Sequence, residues 1–113
     1  MNKREMFDFI TSSLLAQGRA GIIGSCSYRT SDGKKCAVGM LISDEAYEAY
    51  HSRIEGRSIH AEFVMRALRD SGVDIDDGEI FDMLHELQQI HDLDPVVEWQ
   101  EEFDDLKQVL FGE

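Results

Sequence analysis

Apolar residues recur three and four positions apart along most of this chain, the spacing of helices that bury one side. Met6, Ile10 and Leu14, flanked by Phe7 and Leu15, form the first stripe. Asn2 and Glu5 stand at the spacing of a reciprocal helix cap and Gly18 follows, so the pattern predicts a helix over about Lys3 to Gln17. Ser43 is placed to cap a second helix, about Asp44 to Ile54, with Ala46, Tyr47, Tyr50 and Ile54 inward and Gly56 after it. Ser58 opens a third, about Ile59 to Asp70, which turns Phe63, Val64, Ala67 and Leu68 to the core and ends at Gly72. Asp76 and Glu79 repeat the capping spacing before a fourth, lined by Ile80, Met83, Leu84, Leu87, Ile90 and His91. In the fifth, Asp94 is the expected cap and Pro95 the first helical residue. Val96, Trp99, Phe103, Leu106 and Leu110 then form a narrow, coiled-coil-like seam.

Between the first two helices the period changes. Ser25 to Arg29 and Lys34 to Ile42 flank Ser31-Asp32-Gly33, the signature of a β-hairpin. A two-residue turn would set Cys36 opposite Arg29 and leave both faces mixed. A three-residue loop with Gly33 left-handed sets Cys36 opposite Tyr28. That register gathers Cys26, Tyr28, Cys36, Val38, Met40 and Ile42 on one face, with Ser27, Arg29, Lys35, Ala37 and Gly39 on the other, and the cleaner division favours it. The expected fold is α+β, mainly α: one two-stranded antiparallel hairpin packed with about five helices in a single domain, 1–113. Both thiols are expected reduced, on the buried hairpin face.

Composition agrees with one globular domain, at 42% hydrophobic and 30% charged residues. No apolar run approaches the ~20 residues of a membrane span, and Glu5 and Asp8 interrupt the only segment that resembles a leader. A soluble, intracellular protein is the expectation. Two cysteines make no disulfide framework.

Charge changes the picture more. Met1 to Arg57 is nearly balanced, whereas from Asp74 onward fourteen carboxylates meet a single base, Lys107. Glu98, Glu101, Glu102 and Asp105 fall three and four apart, off the Trp99 seam. Like-charge neighbours on a helix cost about 0.2–0.5 kcal/mol per pair, so this stripe works against folding. A sixteen-residue helix from Pro95 to Leu110 would span ~24 Å, along which one DNA strand presents about seven phosphates. Asp82 and Glu86 on helix four add to that density. Such a chain repels nucleic acid and anionic membranes and suits a basic protein surface.

Motifs for chemistry are incomplete. His60-Ala61-Glu62 begins a zinc deaminase signature, yet no Pro-Cys-x-x-Cys follows. Asp74 to Glu79 fails the calcium-loop register, since Gly78 falls fifth rather than sixth. His85-Glu86 lacks a second histidine four residues on. Cys26, Cys36, His85 and His91 match no common zinc spacing, and a Cys36, His91, Asp92 nucleophile conflicts with burial of Cys36. The chain is not expected to be an enzyme; no catalytic residue, metal or cofactor is assigned.

The segment Cys26-Ser27-Tyr28-Arg29, then Asp32-Gly33-Lys34-Lys35-Cys36-Ala37-Val38-Gly39-Met40-Leu41-Ile42, with Leu87-Gln88-Gln89-Ile90-His91-Asp92 and Trp99, resembles a family of small uncharacterised bacteriophage and prophage proteins. The likeness departs around His51 to Glu55. It implies a phage setting in the host cytoplasm and no particular reaction.

The leading expectation is a phage-encoded acidic interaction protein. It would inhibit a host or anti-phage defence protein by covering a basic, nucleic-acid-binding surface with Glu98, Glu101, Glu102, Asp105, Asp82 and Glu86. The alternative is a nucleotide or other small-anion binding protein using Arg29, Lys34, Lys35, Arg57, His91 and Asp92. A metal- or thiol-dependent enzyme is a weaker third reading. Whether the Trp99 seam supports a homodimer is left open by the sequence.

Overall fold

The computed structural model describes residues 1–18, 28–30 and 33–113. Five α-helices carry the fold: α1 (Lys3–Gln17), α2 (Asp44–Ile54), α3 (Glu62–Asp70), α4 (Gly78–Leu93) and α5 (Trp99–Phe111). The first two match the hydrophobic pattern at both ends. Asn2 accepts from the Glu5 backbone while Glu5 accepts from that of Asn2, and Ser43 accepts from Ala46 N–H. Helices α2 and α3 pack as an antiparallel pair: Tyr50 donates to Asp70 at 2.8 Å, and Ser43 N–H to Ser71 Oγ at 2.8 Å. Helices α4 and α5 form a second pair, and α1 packs against the end of α5, where Phe7 meets Phe111 edge to face.

Three helix starts move. Ser58 does not open α3; it closes a turn in which its hydroxyl accepts from His60 N–H and its carbonyl from Ala61 N–H. Asp77, not Asp76, caps α4 by accepting from Glu79 and Ile80, while Asp76 is drawn to Arg69 at 2.8 Å. Asp94 and Pro95 do not begin α5. A short 3₁₀ turn, Val96–Glu98, intervenes, and the Trp99 indole donates to Asp94 O at 3.1 Å, tying the two helices at the bend. Trp99 and Phe103 are fully internal; Leu106 and Leu110 are half-buried, and Val96 is exposed. The expected inner side of α4, from Ile80 to His91, is buried throughout.

The expected β-hairpin is absent from the described residues. An isolated antiparallel bridge, Arg29 to Lys35, lies in the register that would set Cys36 opposite Tyr28, and Gly33 has φ 86°. Past the bridge the chain winds into a 3₁₀ turn, Val38–Leu41, where a second strand was expected. The reason is burial on every side. Ala37 and Gly39, expected on the open face, are buried with Cys36 and Val38, so nothing here alternates. Helix side chains take the bonds a neighbouring strand would have made. Gln17 accepts from Lys35 N–H and donates to Lys35 O, Glu55 accepts from Tyr28 N–H, and Gln88 accepts from Val38 N–H, all within 3.0 Å. Cys36 is a buried free thiol; Cys26, Ser27, Ser31 and Asp32 lie outside the described residues.

Gly39 is the tightest point of this segment. A Cβ there would overlap the backbone carbonyl oxygen of Tyr28, which cannot yield without dislodging the bridge beside it. Gly39→Ala is therefore expected to cost about 3 kcal/mol or more in denaturant unfolding. Gly78→Ala, where a Cβ meets open space, is the control expected to cost under about 1 kcal/mol.

Candidate functional site

Antiparallel packing of α4 on α5 leaves a groove of about 300 Å³ between them. Its walls combine carboxylates, Glu86, Asp94, Glu102 and Asp105, with the apolar Ile90, Leu93, Leu106 and Val109. Leu93 and Val109 are 69% and 80% exposed, and nearby Val97 is 92% exposed, an unusual share of aliphatic surface around one acidic groove.

The stripe expected from the sequence is partly reassembled here. Glu102 and Asp105 line the groove, with Glu98 and Glu101 exposed close by and Glu86 facing them from α4. Asp82 is exposed one helical turn before Glu86 and is not part of the lining. α5 is shorter than expected, thirteen residues or ~20 Å. Its first turn holds Glu101 and Glu102 near the positive end of the helix dipole, which offsets part of their repulsion. Partial burial raises the Glu102 carboxyl above the usual Glu value, and Asp94, Asp105, Glu98 and Glu101 push the same way. Among the described residues no ion pair reaches Asp82, Glu86, Glu98, Glu101, Glu102 or Asp105. Several bases pair elsewhere: Lys3 with Glu79, Arg4 with Asp8 and Glu113, Arg66 with Glu62.

The second expected set does not converge. Arg29 is committed to the core edge, stacked 4.5 Å from the Tyr47 ring centre, donating to Ile42 O and paired with Asp44 at 2.8 Å rather than with Asp92. Lys34 and Lys35 are half-buried at the bridge. His91 is buried against Trp99, its Nδ1 2.8 Å from Asp92 Oδ1. Only Arg57 and Asp92 share a cavity, of about 120 Å³, which Tyr28, Cys36, His85 and Gln88 also line. Sequence patterns single out Gln88 only within the Leu87 to Asp92 motif, not for its contacts. The amide joins Val38 N–H to Asp92 Oδ1 and so links the irregular segment to α4.

The cavity's thiol is buried and held protonated. Burial pushes the Cys36 pKa up to about 12, against a lowering contribution from Gly39 N–H, which donates to its sulfur at 3.4 Å. No three His, Cys, Asp or Glu among the described residues stand where they would hold a metal ion, and no described helix is long and apolar enough to cross a membrane. Comparison with protein families, characterised proteins and solved structures finds no match to this chain.

Two titrations test this geometry. For Cys36 the folded value lies above the ordinary thiol value, so its contribution to stability is complete below about pH 9 and is lost as pH rises toward 12. Native Cys36 should resist thiol reagents at pH 8 unless the protein is unfolded; rapid labelling would place it at the surface. The raised Glu102 carboxyl favours the fold when protonated, and this is lost as pH rises through its folded value. Carboxyl NMR should find Glu102 titrating above the ordinary Glu value, and Glu102→Gln should raise stability at pH 7 but not at pH 3.

Proposed function

We propose that this chain is an interaction protein whose α4–α5 face binds a basic protein surface and excludes nucleic acid from it. The observation that carries the reading is the cluster of Glu86, Glu98, Glu101, Glu102 and Asp105, which enter no ion pair among the described residues, around exposed aliphatic side chains. Folding uses several other acids as caps and ion-pair partners, as with Asp77, Asp76, Glu79 and Glu62. It has no comparable use for Glu98, Glu101, Glu102 and Asp105, which repel one another. Apolar contact from Leu93, Val97 and Val109 would supply affinity that salt does not screen, while the carboxylates supply rate and selectivity for a cationic partner. The resemblance to phage proteins makes the partner a host or anti-phage defence protein, and the chain its inhibitor in the host cytoplasm.

Tagged protein is applied to lysate of the bacterial host, captured proteins are purified, and their binding is remeasured against salt and duplex DNA. A basic partner should be displaced by DNA and should weaken about tenfold or more between roughly 0.05 and 0.5 M salt. The variant Glu98→Gln, Glu101→Gln, Glu102→Gln, Asp105→Asn should keep its fold and lose that partner. If it binds the same proteins with unchanged affinity, the acidic face is not the binding surface.

A further inference from the structure

The cavity beside α4 has features that neither packing nor the acidic face explains. It lies on the helix face adjacent to the groove, closed by Tyr28 and Cys36 on one side and by the 57–60 turn on the other. Its volume of about 120 Å³ is close to the ~150 Å³ at which a protein cavity takes up benzene, so it has room for one six-membered ring and not two fused ones. The His60 and His85 rings, 5.3 Å apart between centres, offer flat surfaces at the rim.

Asp92 gives this space a polar end. Its Oδ1 takes both internal bonds, from the Gln88 amide at 2.9 Å and from His91 Nδ1 at 2.8 Å. An ionised carboxylate only accepts, so the imidazole nitrogen is the donor there. Oδ2 makes no bond within the described residues, and the side chain, 21% exposed, lines the cavity, so its second oxygen is left to accept from a ligand N–H.

A second depression adjoins the first and shares Arg57 with it. Arg53, Arg57 and Ser52 line it, as does Glu62, whose charge is already matched by Arg66 at 2.8 Å. Arg53 lies over the Phe63 ring at 4.8 Å, and Arg57 enters no ion pair among the described residues. Arg57, which lines both spaces, and Arg53, which lines the second, bring two guanidinium groups next to a ring-sized cavity that Asp92 also lines, a combination suited to a planar base bearing a phosphate.

We propose that this site binds a pyrimidine nucleotide, with cytosine preferred to uracil. The ring occupies the cavity, its exocyclic amine donates to Asp92, and the phosphate lies between Arg53 and Arg57. Carboxylates read the cytosine amine in this way in nucleic-acid recognition, whereas uracil presents a carbonyl there and repels the carboxylate. This site is separate from the acidic face, so either proposal can fail alone.

The test is calorimetric titration of the whole chain with cytidine 5′-monophosphate, uridine 5′-monophosphate, cytidine and inorganic phosphate. Saturable binding of the cytidine nucleotide is expected, with the uridine nucleotide, the nucleoside and phosphate each weaker by about tenfold or more. Arg57→Ala, at an exposed position, should lower the cytidine nucleotide toward the level of cytidine. Asp92→Asn should erase the preference over uracil. Since that change disturbs the Gln88 and His91 bonds, Arg53→Ala, also at an exposed position, serves as a second probe of the phosphate end. Lack of saturable binding at millimolar nucleotide overturns the proposal. So does equal binding of the two nucleotides, equal binding of phosphate alone, or an affinity that both arginine variants leave unchanged.

Discussion

A buried peptide N–H without an acceptor costs on the order of 1–3 kcal/mol, and around buried Tyr28 and the buried stretch Cys36 to Gly39 no strand among the described residues supplies one. Gln17 at the end of α1, Glu55 just past α2 and Gln88 within α4 supply the acceptors instead. This requirement positions much of the molecule. α1 must end where Gln17 reaches Lys35, α2 where Glu55 reaches Tyr28, and α4 must present Gln88 to Val38. Gln88 then orients Asp92, Asp92 bonds His91, and His91 lies against Trp99, so the hydrogen bonding of an irregular segment extends to the junction of α4 and α5.

The acidic half folds because its charges are sorted. Acids near helix starts cap backbone donors or lie at the favourable end of the dipole, as Asp77 and Glu79 do on α4. Others meet the few bases within reach. What remains is concentrated along one edge of α5 and the facing edge of α4, where water and counterions screen it over ~8 Å at physiological salt. Glu102 marks the limit: partial burial together with its acidic neighbours makes its charged form costly.

Helices were legible from the sequence because burying one side of a helix writes a period of three and four, and the caps of α1 and α2 are local signals. Starts were misplaced where a tertiary partner competed for the cap, as Arg69 does for Asp76, or where Trp99 bonded back to Asp94 and a 3₁₀ turn replaced the first turn of α5. The second strand was misread for a different reason. Cys36 to Ile42 is apolar and small, and full burial removes the alternation that distinguishes a strand from a tight turn. A short-range pattern cannot reveal that Gln17, Glu55 and Gln88 would take the strand's hydrogen bonds, because those contacts span 18, 27 and 50 positions. The stripe on α5 was visible as a charge pattern. The aliphatic groove beside it was not, because Leu93 and Val109 become neighbours only when α4 and α5 fold back on each other.

A net charge of −12 and the proposed nucleotide site are compatible once length scale is considered. Duplex DNA brings one charge per ~1.7 Å and must lay many phosphates across any face it binds. On this chain, whose extents are 37 × 29 × 20 Å, a duplex at the pocket would also meet carboxylates along α4. A mononucleotide brings one or two charges to a single point. At a Debye length of ~8 Å it senses mainly its immediate surroundings, where Arg53 and Arg57 are the cations and Glu62 is already paired. The proposed site would therefore reject a polyanion and admit a monomer, because repulsion grows with the number of phosphates laid down while attraction is confined to two guanidinium groups.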